Sequence, residues 1–162
     1  EKSELVFVNC GAECNVINLG IDNGSTDSDV LKFMSNYATE IDGYFIISPD
    51  ENDAKTIDNV CKNTIIRKIF LPKMPKINEI KQYYDILICA EKYNITVELY
   101  NFDTNVEICN DVVFNYSVDN GFSLIGKSAE LKKQGEDIIC IYNNVCYDVG
   151  YSDGVSKKIP LN

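Results

Sequence analysis

Apolar and polar positions change period along the chain, and each change predicts an element. Glu4 to Asn9 and Asn15 to Asp22 read as two short strands, joined at Gly11 and closed by the turn Asp22-Asn23-Gly24-Ser25. From Ser28 to Tyr37 the apolar residues Val30, Leu31, Phe33, Met34 and Tyr37 recur at helical spacing, with Thr26, Asp27 or Ser28 as N-cap candidates. Gly43 to Ile47 reads as a short buried strand. Asp53 to Lys62 puts Ala54, Ile57 and Cys61 on one helical face, and the strand Ile65 to Leu71 then ends at Pro72. Pro75 opens a longer helix through Lys92, whose apolar stripe is Ile77, Ile80, Tyr84, Leu87 and Ile88. Asn94 ends that helix, and the strand Ile95 to Tyr100 follows.

The character changes after Phe102. Val106 to Cys109, Val112 to Val118, Asp137 to Tyr142 and Val145 to Val149 look like strands in hairpins, with a polar helical or loop segment around Ser128 to Gln134. Strand and helix alternate in the centre, which predicts a layered α/β (α+β) arrangement with β-rich ends. No repeat, low-complexity tract or linker interrupts residues 1–162, so one domain is expected, with a frayed tail from Ser156 to Asn162.

Composition narrows the chemistry. The chain of 162 residues is 45% hydrophobic, enough to bury a full core. Its 15 basic and 25 acidic residues leave a formal charge of −10, which opposes a broad grip on nucleic acid or anionic lipid. There is no histidine. That removes the usual ligand of catalytic zinc and the usual neutral-pH base, and with them most zinc hydrolases and the Ser-His and Cys-His nucleophiles. Seven cysteines (Cys10, Cys14, Cys61, Cys89, Cys109, Cys140, Cys146) cannot all pair within one chain. Most sit in apolar runs, where a reduced Cys is a small core residue. Cys10 and Cys14 have the wrong spacing for a zinc knuckle, and Cys140 and Cys146 flank a turn at Asn143-Asn144 across which a disulfide is conceivable. No apolar run is long enough to span a bilayer, so direct membrane insertion of this segment is not expected. The first residue is Glu1 rather than Met, and we expect upstream residues to have been removed.

The segment Phe45-Ile46-Ile47-Ser48-Pro49-Asp50-Glu51-Asn52-Asp53-Ala54 carries the most chemistry: an apolar strand, a Pro, a cluster of short acidic residues, then a helix. Asp50, Asn52 and Asp53 offer carboxylate and amide oxygens at close spacing, suited to Mg²⁺ or Ca²⁺. The same residue types also satisfy free N–H groups at a helix start, and that reading is preferred. Asp22 in its Asp-Asn-Gly-Ser turn is likewise read as turn chemistry rather than as a ligand. Three glycosylation triplets, at Asn23, Asn94 and Asn115, are common by chance. The tyrosines lack the interleaved basic residues of a nucleic-acid stacking surface; basic character is confined to Lys127 to Lys133 and Lys157-Lys158. No glycine-rich phosphate loop supports a nucleotide-binding fold, which leaves a flavodoxin-like three-layer sheet as the fold alternative.

The order of these elements resembles the metallo-β-lactamase fold, and more narrowly the metallo-β-lactamase-like domain of ComEC-type competence proteins, the membrane channels of bacterial DNA uptake. Phe7-Val8-Asn9-Cys10-Gly11 resembles the family's Leu-Asp-Val-Gly start, and Ile21-Asp22-Asn23-Gly24 resembles its Ile-Asp-x-Gly turn. Ile46 to Asp53 falls where the family writes Thr-His-Pro-Asp-x-Asp-His, Ile69-Phe70-Leu71-Pro72 resembles the next strand, and Asp148-Val149-Gly150-Tyr151 lies at its Leu-Thr-Gly-Asp turn. The resemblance implies a layered sandwich, possibly truncated, with the ligand positions changed. Family histidines fall on Ser48 and Asp53, a motif acid on Asn52 and the late bridging Asp on Tyr151, beside Gly150; Asp50 alone keeps a ligand-type side chain in place. The implied protein is a non-catalytic binding or scaffold domain without a cofactor, its partners DNA or other parts of an uptake channel. It would be an extramembrane domain at the cell membrane, with a secreted or cytoplasmic location as the alternative. The functional alternative is a Mg²⁺- or Mn²⁺-dependent hydrolase or nuclease using Asp22, Asp50, Asn52 and Asp53.

Overall fold

A computed structural model of the chain describes residues 4–20, 39–73, 76–109, 111–134, 137–142 and 145–148. The predicted helix Ser28 to Tyr37, Asp22 with its turn, the Asn143-Asn144 turn, Gly150, Tyr151 and the tail lie outside these residues. The architecture is mixed α+β, and its contacts cluster into two compact units, Glu1–Asn101 and Phe102–Asn162.

The first unit starts with an antiparallel hairpin, β1 (Glu4–Cys10) and β2 (Glu13–Gly20). Its loop is two residues long, and Gly11 supplies the positive φ of 64° that a tight hairpin turn needs. Strands β4 (Gly43–Ile46), β6 (Lys68–Pro72) and β7 (Thr96–Tyr100) then add in parallel, giving the order β1-β2-β4-β6-β7. A doubly wound sheet reverses its strand order at a switch point. Here each strand lies beside its predecessor, so the flavodoxin-like alternative lacks its defining reversal. The strand expected over Ile65 to Leu71 breaks at Arg67 into β5 (Ile65–Ile66) and β6, and β5 pairs with β3 (Glu40–Ile41) just before β4.

Helix α1 (Asp53–Val60) supplies the crossover from β4 to β6, and helix α2 (Ile80–Lys92), entered through a 3₁₀ turn at Ile77–Glu79, that from β6 to β7. One sheet face and the helices enclose a core containing Val16, Tyr44, Ile46, Ile57, Ile69, Leu71, Ile86 and Ala90. The alternate positions Ile17, Phe45, Phe70 and Tyr100 are buried on the other face, where the Phe45 and Phe70 rings stack at 4.1 Å. Both faces being apolar explains the near-continuous hydrophobic runs of β4 and β6.

The stripe expected to bury α2 is on the wrong side. Ile86, Cys89 and Ala90 face the core, while Ile77, Ile80, Tyr84, Leu87 and Ile88 are exposed. Helix α2 is apolar on both faces, so periodicity alone picks out two stripes and cannot choose between them. Its end is as expected. Asn94 takes φ 59°, Ile95 N–H donates to the Ala90 carbonyl and Asn94 N–H to that of Glu91, a Schellman closure.

The second unit is a six-stranded antiparallel meander in chain order: β8 (Val106–Cys109), β9 (Val112–Ser117), β10 (Gly121–Ile125), β11 (Ala129–Gln134), β12 (Asp137–Tyr142) and β13 (Val145–Asp148). Phe114, Leu124, Leu131 and Cys140 stand opposite one another across four strands and form one buried row. Two expectations are corrected. Ser128 to Gln134 is not helix or loop: β11 pairs along both edges, and its polar residues alternate with the buried Ala129 and Leu131. Cys140 is a buried thiol that enters no disulfide, so the conceivable Cys140–Cys146 bridge does not form. Cys10 and Cys109 are disulfide-bonded.

Candidate functional site

The acidic segment folds where the carboxyl end of the parallel strands meets the start of α1. Open α/β sheets place their ligand crevices at this end. Two strand residues, one loop residue and one helix residue build it: Tyr44 on β4, Asn18 on β2, Asp50 on the connecting loop and Asp53 at the first position of α1. Asn18 lies opposite Ile46 in the β2–β4 register, which carries its side chain to the strand end.

Asp53 is at the centre and only 1% exposed. Its Oδ1 accepts a hydrogen bond from Asn18 Nδ2 at 2.8 Å and its Oδ2 accepts one from the Asp50 backbone N–H at 2.7 Å. Asn18 Oδ1 in turn accepts the Gly20 N–H at 2.9 Å. Asp50 Oδ1 accepts the Asn52 N–H at 2.7 Å, an Asx turn that tightens the loop before the helix. Asn52 occupies the N-cap position, yet its side chain makes no capping bond; its carbonyl takes the first helical bond, from Thr56 N–H. The helix start is therefore secured by the residues on either side of the cap. Ser48 is exposed and donates its hydroxyl to Glu79 Oε1 at 2.9 Å, outside the buried group.

Burial pushes Asp53 up to about 7, the Asp50 charge adds to the rise, and the hydrogen bonds from the Asp50 amide and Asn18 oppose it. Burial also holds the Tyr44 hydroxyl well above the usual phenol range, with the Asp53 charge acting in the same direction. Tyr44 is 1% exposed, and its oxygen has no hydrogen-bond partner among the described residues.

Of the predicted site residues, Asp50, Asn52 and Asp53 come together, Ser48 stands beside them, and Asp22, Gly150 and Tyr151 lie outside the described residues. Among the described residues, no three His, Cys, Asp or Glu side chains gather as a metal-holding group. Sequence reading missed Asn18 and Tyr44. The available signal was an amide inside an apolar strand, since Cys14-Asn15-Val16-Ile17-Asn18 places two Asn where burial is costly without a partner. Chemically, the arrangement is a polar network centred on a buried carboxyl that can hold or release a proton near neutral pH.

No protein family matches the chain, and no curated protein matches it either.

Proposed function

We propose that the chain is a non-catalytic binding or scaffold domain related to the metallo-β-lactamase-like part of ComEC-type DNA uptake proteins, with the ligand positions converted into an internal polar network. The observation that carries this reading is the state of Asp53: both carboxylate oxygens already accept hydrogen bonds from inside the fold. A cation there would have to displace the Asn18 amide and the Asp50 N–H, leaving buried donors unpaired at about 1–3 kcal/mol each. The opening hairpin followed by parallel strands in chain order supports the metallo-β-lactamase layering, as does the position of Ser48 to Asp53 at a strand end. The same donors weigh against a Mg²⁺- or Mn²⁺-dependent hydrolase at Asp22, Asp50, Asn52 and Asp53.

The proposed setting is an extramembrane part of an uptake assembly. No described helix is long and apolar enough to cross a membrane. With a net charge of −10, a protein surface of that assembly fits better than the DNA backbone. The test is a thermal melt in EDTA and in excess Zn²⁺, Mn²⁺ or Mg²⁺, with a nuclease assay in parallel. We expect no metal-dependent change in Tm and no cleavage. A stoichiometric metal whose stabilisation vanishes in Asp50→Ala, or metal-dependent phosphodiester cleavage, would overturn the proposal.

A further inference from the structure

We propose that the outer face of α2 and the free edge of β7 form one surface that joins two copies of this chain. The inference is independent of the metal question. Helix α2 buries Ile86, Cys89 and Ala90 inward, and turns Ile80, Tyr84, Leu87 and Ile88 outward at helical spacing, with Ile77 ahead of them. Ile77 is 90% exposed, Tyr84 62% and Ile88 50%. A helix apolar on both sides is the pattern of one buried on both sides.

The patch continues onto the sheet. The Asn94 turn sets β7 beside α2, and Leu87 of the helix and Val97 of the strand line one shallow depression of about 370 Å³. Leu99 shares the Val97 face of β7 and is also exposed. Strand β7 is the last of its sheet among the described strands. Thr96 N–H donates to the Arg67 carbonyl just before β6 and the Tyr100 carbonyl accepts from Lys73 N–H just after it, so alternation leaves the polar backbone groups of Val97 and Leu99 on the outer edge. Two such edges related by a two-fold axis can pair antiparallel and bring two α2 stripes together.

Exposure and charge favour a second copy over another partner. Ile77, Ile80, Tyr84, Leu87, Ile88 and Leu99 are 36% to 90% exposed and lie on one helix face and the strand beside it, a contiguous apolar surface of the kind that marks an interface rather than the scattered single residues of a monomer. A chain of charge −10 repels its own kind, but this segment does not. Lys76, Lys81 and Lys92 balance Glu79, Asp85 and Glu91, so residues 76–92 are neutral and the acidic excess lies elsewhere. A neutral apolar stripe flanked by both signs is self-complementary.

The test is sedimentation equilibrium on the 162-residue chain, compared with Tyr84→Glu, Ile88→Glu and, as a control, Val118→Glu, an exposed apolar position of the second unit. All three sites are exposed, and far-UV circular dichroism checks that the variants fold. We expect a reversible dimer of the same affinity for the wild type and for Val118→Glu. For Tyr84→Glu and Ile88→Glu we expect dimerisation weaker by about 100-fold or more. A wild-type monomer at about 100 μM, a dimer that survives both helix substitutions, or an open-ended series of oligomers would overturn the proposal. None of these outcomes bears on the metal melts, so the two readings fail separately.

Discussion

Asp53 sets the pH behaviour of the first unit. Its folded value of about 7 lies above an unfolded carboxylate's value near 3.9. Between these values the folded chain holds a proton that the unfolded chain has released, so the stabilising contribution is complete below about pH 4 and is lost as pH rises through about 7. The full span is on the order of 4 kcal/mol. Asp53→Asn removes the titration and also turns an amide toward one of two donors. The Tm of the wild type minus that of Asp53→Asn is therefore expected to fall as pH is raised from about 4 to 8 in melts at fixed ionic strength. A difference that stays constant with pH would refute the network. Half of this network was legible in the sequence. Short acidic residues between a strand and a helix announce a helix start, and Asp50 and Asp53 act there. Asn18 and Tyr44 reach the site only because β2 and β4 pair in parallel, a non-local fact that no window of the sequence contains.

At the scale of elements, local signals held where they were strong. The opening hairpin, the short strand after Gly43, the helix from Asp53 and the stop at Asn94 follow from alternation, capping residues and a left-handed Asn. Asn94→Gly is expected to leave Tm unchanged or raise it slightly, because glycine adopts φ 59° without strain, whereas Asn94→Val is expected to cost about 1–2 kcal/mol in a urea titration. Equal stabilities of the two variants would mean that this closure does not govern the helix end. Strands β10 and β11 were not legible. Gly121 to Ile125 is short, and Ala129 to Gln134 carries Glu130, Lys132, Lys133 and Gln134, residues that favour helix in isolation. Pairing with neighbours on both sides overrides that preference. Helix α2 shows the complementary failure: its length was clear, but two apolar stripes made its inward face ambiguous.

For the whole molecule, the change of character after Phe102 coincides with the division between the two units, and each unit has its own core. Cysteine state is a further molecule-wide property. With Cys10 and Cys109 disulfide-bonded out of seven cysteines, a denatured, unreduced sample is expected to show at most five thiols in a colorimetric titration, and seven after reduction. Seven thiols before reduction, in protein kept from reductants, would contradict the bonded state. Strand order carries a consequence for how the chain assembles. In the five-stranded and the six-stranded sheet the strands lie side by side in the order in which they are synthesised. Each new strand can dock on the one just made, with no gap held open for a later segment, so closure distances stay short and growth proceeds from the amino-terminal hairpin outward. A ribosome releasing this chain would expose one growing edge of the first sheet at a time, and the last edge it leaves is β7.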